Sequence, residues 1–218
     1  MELGITRTIR LQNGRVILDG IVEYSADANS AAAVLRSVYR HYGISYPKFF
    51  KMDNLCRLCF LSAEILLQGT DILRNYPGEE IGIILSNASS SLDSDEKHQE
   101  SIRDANHYFP SPSVFVYTLP NIMVGEIAIR HKIKGENAVL IFEQFDPFFI
   151  FQYVSELFRN QRVHCCLAGW IECYGNSYRS LLFVVEQIDR IKRLNKFQEW
   201  FIFDPSNLEK CFVEGKSL

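Results

Sequence analysis

Six cysteines, five histidines and the Glu143-Gln144 pair at the end of an apolar run are the residues of this 218-residue chain whose types could carry chemistry. A cysteine acts as nucleophile or metal ligand only as its thiolate, so its surroundings decide its use. Cys56 and Cys59 form a C-x-x-C, but they fall inside a strong helical pattern. Neither a second C-x-x-C nor a His-x-x-x-His completes a four-ligand metal site. Cys165 and Cys166 lie in an apolar run that reads as a buried strand, which sends their side chains to opposite faces. Cys173 closes that run and Cys211 stands alone. His98 and His107 lack a companion at ligand spacing and read as surface groups; His164 reads as a strand-end histidine rather than a base. No glycine loop suited to cradling phosphate and no Gly-x-Ser-x-Gly elbow occurs. What remains is Glu143-Gln144, where an apolar strand turns towards a helix.

The elements around that pair follow from local signals. Pro120-Asn121 opens a helix whose apolar face carries Ile122, Val124, Ile127, Ala128 and Ile129, and Lys134-Gly135 is expected to end it. Asn137 to Phe142 is apolar without alternation, which predicts a strand covered on both faces. Asp146-Pro147 is an N-cap followed by proline at the first helical position. The helix from Pro147 to Asn160 is apolar nearly all round, which predicts burial between layers. Leu167 to Glu172 and Ser180 to Ile188 are further apolar strands.

Upstream, Thr6–Leu11 and Arg15–Leu18 flank Asn13-Gly14, a strong hairpin signal. Asp27 to His41 reads as a helix with Ser30 as a candidate cap. Tyr46 to Phe50 is an aromatic connector that either anchors on the core or lines a pocket. Asp53 caps the next helix and Gly69 stops it. Ile81 to Ser86 is a strand, and the small polar residues Ser86 to Ser91 form the kind of loop that ligand sites in α/β sheets use. Asp93 to Ala105 reads as a solvated helix, Phe197 to Phe203 as a short aromatic element and Asp204 to Asn207 as a turn. Arg190-Ile191-Lys192-Arg193 reads as the solvated end of an element, or as a dock for an acidic carrier protein.

A hydrophobic fraction of 47% supports a substantial core, and a formal charge of −3 gives no ground for nucleic-acid binding. No apolar run approaches the roughly 20 residues that span a bilayer, and the N-terminus shows no signal-peptide pattern. The cysteines form no disulfide framework, so a cytoplasmic location is expected. The length suits one domain over residues 1–218.

In order and spacing, these motifs resemble the N-terminal half of a β-ketoacyl synthase, a thiolase-like family. Lys51-Met52-Asp53 before a long apolar helix, Lys132 to Asn137 as a glycine turn, and Leu167-Ala168-Gly169-Trp170-Ile171-Glu172 as a following strand carry the resemblance, which covers roughly Lys51 to Asp189. It implies an α/β fold, a thiolase-like half with a mixed, mostly parallel sheet and helices on both faces, in which Ser180–Ile188 is the antiparallel fifth strand. It also makes Asn137–Phe142 the edge strand through which such proteins dimerise.

The family's nucleophilic cysteine sits at a helix N-terminus after this strand, and counting from Gly135 places that position on Gln144. An amide is not a usable nucleophile at neutral pH, and Glu143-Gln144 resembles the Glu-Gln of chain-length factors, the non-condensing partners of aromatic polyketide synthases. Gln144 is expected either to hydrogen-bond a thioester carbonyl or to bond locally at the strand end. Phe145, Phe148 and Phe149 are bulky where the family carries small residues. The sequence ends where the family's histidine- and lysine-bearing second half would begin. The expectation is therefore a non-condensing subunit of fatty-acid or polyketide-type biosynthesis, with no cofactor and no metal. It would pair with itself or with a complete ketosynthase, with acyl carrier protein as a further partner. The alternatives are an acyl-carrier-dependent acyltransferase or decarboxylase completed by a partner, and a fold-only binding protein.

Overall fold

A computed structural model describes residues 1–106, 108–194 and 199–213. Asn13 and Gly14, both at positive φ (50° and 75°), join strand β1 (Leu3–Gln12) to β2 (Arg15–Leu18) as the hairpin signal requires. A second turn, Asp19-Gly20, also at positive φ (49° and 81°), adds β3 (Ile21–Ser25). Sequence reasoning missed this strand, although Asp-Gly carries the same signal as Asn-Gly. Helix α1 (Ala31–His41) begins four residues later than Asp27, because the Ser30 hydroxyl accepts the Ala33 amide and fixes the start. The Pro47–Lys51 turn buries Phe49, whose ring stacks on Tyr39 at 4.3 Å, so this aromatic connector anchors on the core. Asp53 caps α2 (Asn54–Leu67) by accepting the Cys56 amide at 2.8 Å, and Gly69 follows at φ 73°.

The chain continues through α3 (Ile72–Asn75), the wholly buried β4 (Ile81–Asn87), α4 (Leu92–Ile102), α5 (Pro112–Val116), α6 (Ile122–His131) and β5 (Asn137–Ile141). It then runs through α7 (Pro147–Arg159), β6 (Cys165–Tyr174), β7 (Ser177–Gln187), α8 (Ile188–Leu194), β8 (Phe201–Ile202) and α9 (Pro205–Val213). The strands form one sheet in the order β3-β2-β1-β7-β6-β4-β5, with β8 also on β1. Among the described residues β4–β5 and β4–β6 are the parallel ladders; tight turns make β1–β2, β2–β3 and β6–β7 antiparallel, and β1 also pairs antiparallel with the distant β7 and β8. Because β1 and β6 both run antiparallel to β7, the strands β1, β4, β5 and β6 share one direction and β7 opposes them. The sheet is thus mixed, its central strands mostly run one way, and the Ser180–Ile188 segment supplies the antiparallel member.

Helices cover both faces. Core residues of α1, α2 and α6 pack with Ile83, Leu85, Cys165, Leu167 and Leu182. Those of α7 and α9 pack with Ile84, Cys166, Ala168, Trp170 and Phe183 on the other face. Cys165 and Cys166 separate as the two-residue period demands, and a one-residue slip of β6 would exchange the two cores.

Three expectations are corrected. Helix α6 stops at Lys132, which takes the left-handed conformation (φ 57°), not at Lys134-Gly135. Gly135 serves close approach instead, since a Cβ there would stand 2.3 Å from the Ile81 carbonyl oxygen. Strand β5 touches both cores through Val139 and through Ala138 and Leu140, but as the last strand of the sheet it is only half-buried. Helix α7 buries Ile150, Val154 and Phe158 alone and leaves Phe148 57% exposed, because only one of its sides meets the sheet. His107 and the Phe197 end of the aromatic element lie outside the described residues.

Candidate functional site

The parallel strands β4, β5 and β6 end together, and their loops meet. The Phe142 amide donates to the Asn87 carbonyl at 3.0 Å, tying the exits of β5 and β4. Glu172 near the end of β6 accepts the amides of Ala88 (2.7 Å) and Ser89 (3.2 Å) through Oε2. The Asn87 amide side chain donates to the Ser90 carbonyl, and the Ser91 hydroxyl donates to Thr118 O at 2.7 Å. These donors of the Ser86–Ser91 loop are committed within the protein, and they brace the loop to β6 and to Thr118.

Gln144 is exposed on the adjoining loop, three residues before the first helical residue of α7, and has no side-chain hydrogen bond among the described residues. Asp146 caps that helix: its Oδ1 accepts the Phe149 amide at 2.8 Å. The helix start thus presents its positive end to a carboxylate of its own chain. Phe145 turns inward and is 6% exposed. Its ring stacks on Phe212 at 4.7 Å and meets Trp170 edge-on at 6.2 Å, while Trp170 and Phe212 are themselves 6.2 Å apart. Three aromatic rings thus pack together at the residue that follows Gln144. The Arg179 guanidinium lies 3.6 Å over Phe212 and donates to the Phe212 carbonyl.

None of the thiols is prepared for nucleophilic attack. All six cysteines are free and buried. Burial pushes the Cys173 thiol up to about 12, with the nearby Asp93 and Asp53 carboxylates adding to it. Burial likewise raises Cys211 to about 11, and lifts Cys56, Cys59, Cys165 and Cys166 higher still. A nucleophilic thiol needs the opposite, a neighbouring positive charge or helix start that stabilises the thiolate. Cys56 and Cys59 lie on the buried helix α2, as their pattern implied. No cluster that could hold a metal exists among the described residues. His98 contacts the Phe115 ring, and His164 lies 3.4 Å from Glu80.

Sequence reasoning missed one buried polar cluster. Glu186, in the middle of the apolar SLLFVVEQI segment, accepts from Thr6 (2.6 Å) and Tyr76 (2.7 Å). Arg190 is not simply solvated: its guanidinium lies 4.1 Å over the Tyr76 ring and donates to Asn75 O at 3.0 Å. A carboxylate on an otherwise apolar strand was the available signal. The α9 helix was missed too, although Asp204-Pro205 repeats the Asp146-Pro147 start; Asp204 accepts the Asn207 amide at 2.8 Å.

The fold belongs to a known class. Its solved neighbours include the ishigamide ketosynthase/chain length factor (TM-score 0.64, 17% identity, covering 87% of this chain and 63% of that one). A type II PKS acyl-carrier protein in complex with its ketosynthase bound to the hexaketide gives TM-score 0.64 at 12% identity, covering 89% of this chain and 65% of that one. A β-ketoacyl synthase from Burkholderia phymatum gives TM-score 0.60 at 9% identity, over 91% and 62% respectively. The fold is the thiolase-like one of ketosynthases and chain-length factors, and this chain spans about two thirds of the length of those neighbours. No protein-family model matches the chain, and no curated protein does.

Proposed function

We propose that this chain is a ketosynthase-like subunit that does not itself condense acyl groups and acts as a partner in fatty-acid or polyketide-type biosynthesis. The observation that carries the reading is the exit of β5. The position that the family resemblance gives to the nucleophile holds Gln144, and the next residue, Phe145, packs with Trp170 and Phe212. The uniformly raised thiols support it, because no cysteine elsewhere stands ready to accept an acyl group. The reading takes residues 1–218 as one domain. The free, reduced cysteines favour a cytoplasmic setting, and no helix among the described residues is long and apolar enough to cross a membrane.

Pairing is assigned to the outer edge of β5. Among the described residues that edge has no strand beside it, and Ile141 on that strand is 49% exposed. An open strand edge flanked by apolar side chains is a template for another chain. The partner is a second copy or a complete ketosynthase, with acyl carrier protein as the further candidate.

The test is incubation with malonyl- and acetyl-loaded carrier protein, both species followed by intact mass. An unchanged chain and intact acyl groups are expected. Acyl transfer to the chain, or loss of carbon dioxide, overturns the non-catalytic reading and leaves an acyltransferase or decarboxylase. Light scattering of the chain alone and with a ketosynthase tests the pairing; a monomer in both measurements refutes it.

A further inference from the structure

We propose that α9 is a displaceable plug over Phe145, the residue that follows Gln144, seated by Arg10 and Arg179 and released as a unit while the sheet stays folded. This goes beyond the role assigned above and holds whether or not the chain turns over thioesters.

The argument starts from how α9 is held. It has nine residues, below the roughly 12–15 at which an isolated helix becomes stable in water. Its order therefore comes from its seat. Leu208 and Cys211 are its buried side chains, and Phe212 adds the ring that stacks on Phe145. The rest of the seat is cationic. Arg10, 6% exposed, pairs with Leu181 on β7, and Arg179 lies two residues along that strand, opposite Gln12. Arg10 donates to the Cys211 carbonyl at 3.5 Å and Arg179 to the Phe212 carbonyl.

Neither arginine has a carboxylate within ion-pair distance among the described residues. Guanidinium groups in protein interiors are ordinarily matched by carboxylates. Here two of them are answered by the last carbonyls of a helix, where a cation also complements the helix dipole. The Arg179 Nε is buried and has no partner among the described residues. Burial lowers both arginines from their usual value, and each feels the cost of the arrangement. Water or a partner's carboxylate can replace helix carbonyls at these groups. Beyond Leu208, Cys211 and Phe212, the seat of α9 thus consists of replaceable polar contacts, whereas α7 on the same face is fastened by its buried Ile150, Val154 and Phe158. When α9 leaves, Phe145 and Trp170 lose the ring that covers them, and the surface next to Gln144 opens.

Cys211 reports the motion. It is the one cysteine on α9, while Cys56 and Cys59 lie in α2 and Cys165, Cys166 and Cys173 in β6. The full chain is treated with a maleimide under native conditions, and each cysteine is followed by peptide mass. Cys211 is expected to react first, at a rate that low denaturant hardly changes, as local opening requires. Arg179→Ala and Arg10→Ala should each speed Cys211 by about tenfold, equivalent to roughly 1.4 kcal/mol of seating, with the other five unchanged. Amide exchange over residues 205–213 of the unaltered chain should be faster than over α7. If Cys211 reacts in step with the β6 cysteines, with the denaturant dependence of global unfolding, the plug does not exist. Folded arginine variants with unaltered Cys211 rates would overturn the seating. Should a variant not fold, the labelling and exchange of the unaltered chain decide alone.

Discussion

Phe145 and Phe212 stack with ring centroids 4.7 Å apart, joining the loop after β5 to the last turn of α9 across 67 residues of sequence. Phe145→Ala should cost about 3 kcal/mol in urea unfolding, the usual price of emptying a buried phenylalanine site. Phe212→Ala, at a half-buried position, should cost less. A double-mutant cycle should show a coupling of roughly 0.5–1.5 kcal/mol beyond area burial; additive effects would deny that the rings act together.

Placing a thiol at position 144 tests the electrostatics of the helix start. Asp146 already takes the first-turn amide of α7. The Gln144→Cys thiol is therefore expected to titrate near the ordinary value of about 8.5, read from the pH dependence of its alkylation. A value near or below about 7, as at activated helix-terminal cysteines, would show that the helix reaches this residue.

Two glycines should respond differently to alanine. At Gly135 the new Cβ would stand 2.3 Å from the Ile81 carbonyl oxygen, so backbone must move; a loss of about 3 kcal/mol is expected, in the range of overpacked sites. At Gly69 the space is open and only the positive φ of 73° opposes alanine, which costs roughly 1–2 kcal/mol. Equal losses in chemical denaturation would contradict the close approach at Gly135.

Alkaline pH should weaken the fold. Burial raises the cysteine thiols and Tyr76, the latter with help from Glu186. A raised group holds its proton more tightly folded than unfolded, so its stabilisation is complete below the unfolded value and falls as pH rises through the gap. Unfolding midpoints should be level to about pH 8 and then decline, since unfolded thiols ionise near 8.5 and tyrosine near 10. Cys166→Ala should flatten the first part of that decline and Tyr76→Phe the second. A flat profile from pH 7 to 10 would mean that these groups are not buried in solution.

Charge on the β5 edge should abolish pairing. Ile141→Lys places an ammonium on the exposed rim, a common means of blocking strand addition. Light scattering should report a monomer with unchanged circular dichroism; retained pairing would move the interface elsewhere.

Much of this architecture was legible because local chemistry is strong. Asn13-Gly14, Ser30, Asp53 and Asp146-Pro147 each fixed a boundary through one turn or one cap. The exposure of α7 and of β5 was not legible, since apolar composition gives no information about which sides a neighbour covers. At the candidate site, the bulk of Phe145 was visible, but its partner Phe212 was not. That contact depends on α9 folding back over the sheet, and a nine-residue helix has too little periodicity to announce itself.

The place of β1 between β2 and β7 has a consequence for biosynthesis. Residues 3–12 pair with residues 179–187. At ribosomal speeds of about 5–20 residues per second, roughly ten to thirty seconds separate the emergence of the two strands. For that interval the nascent hairpin carries Ile5, Ile9 and Leu11 without the sheet that buries them. Residues 3–12 are thus made long before the strand that completes their sheet, and their apolar side chains are ones a ribosome-associated chaperone would meet.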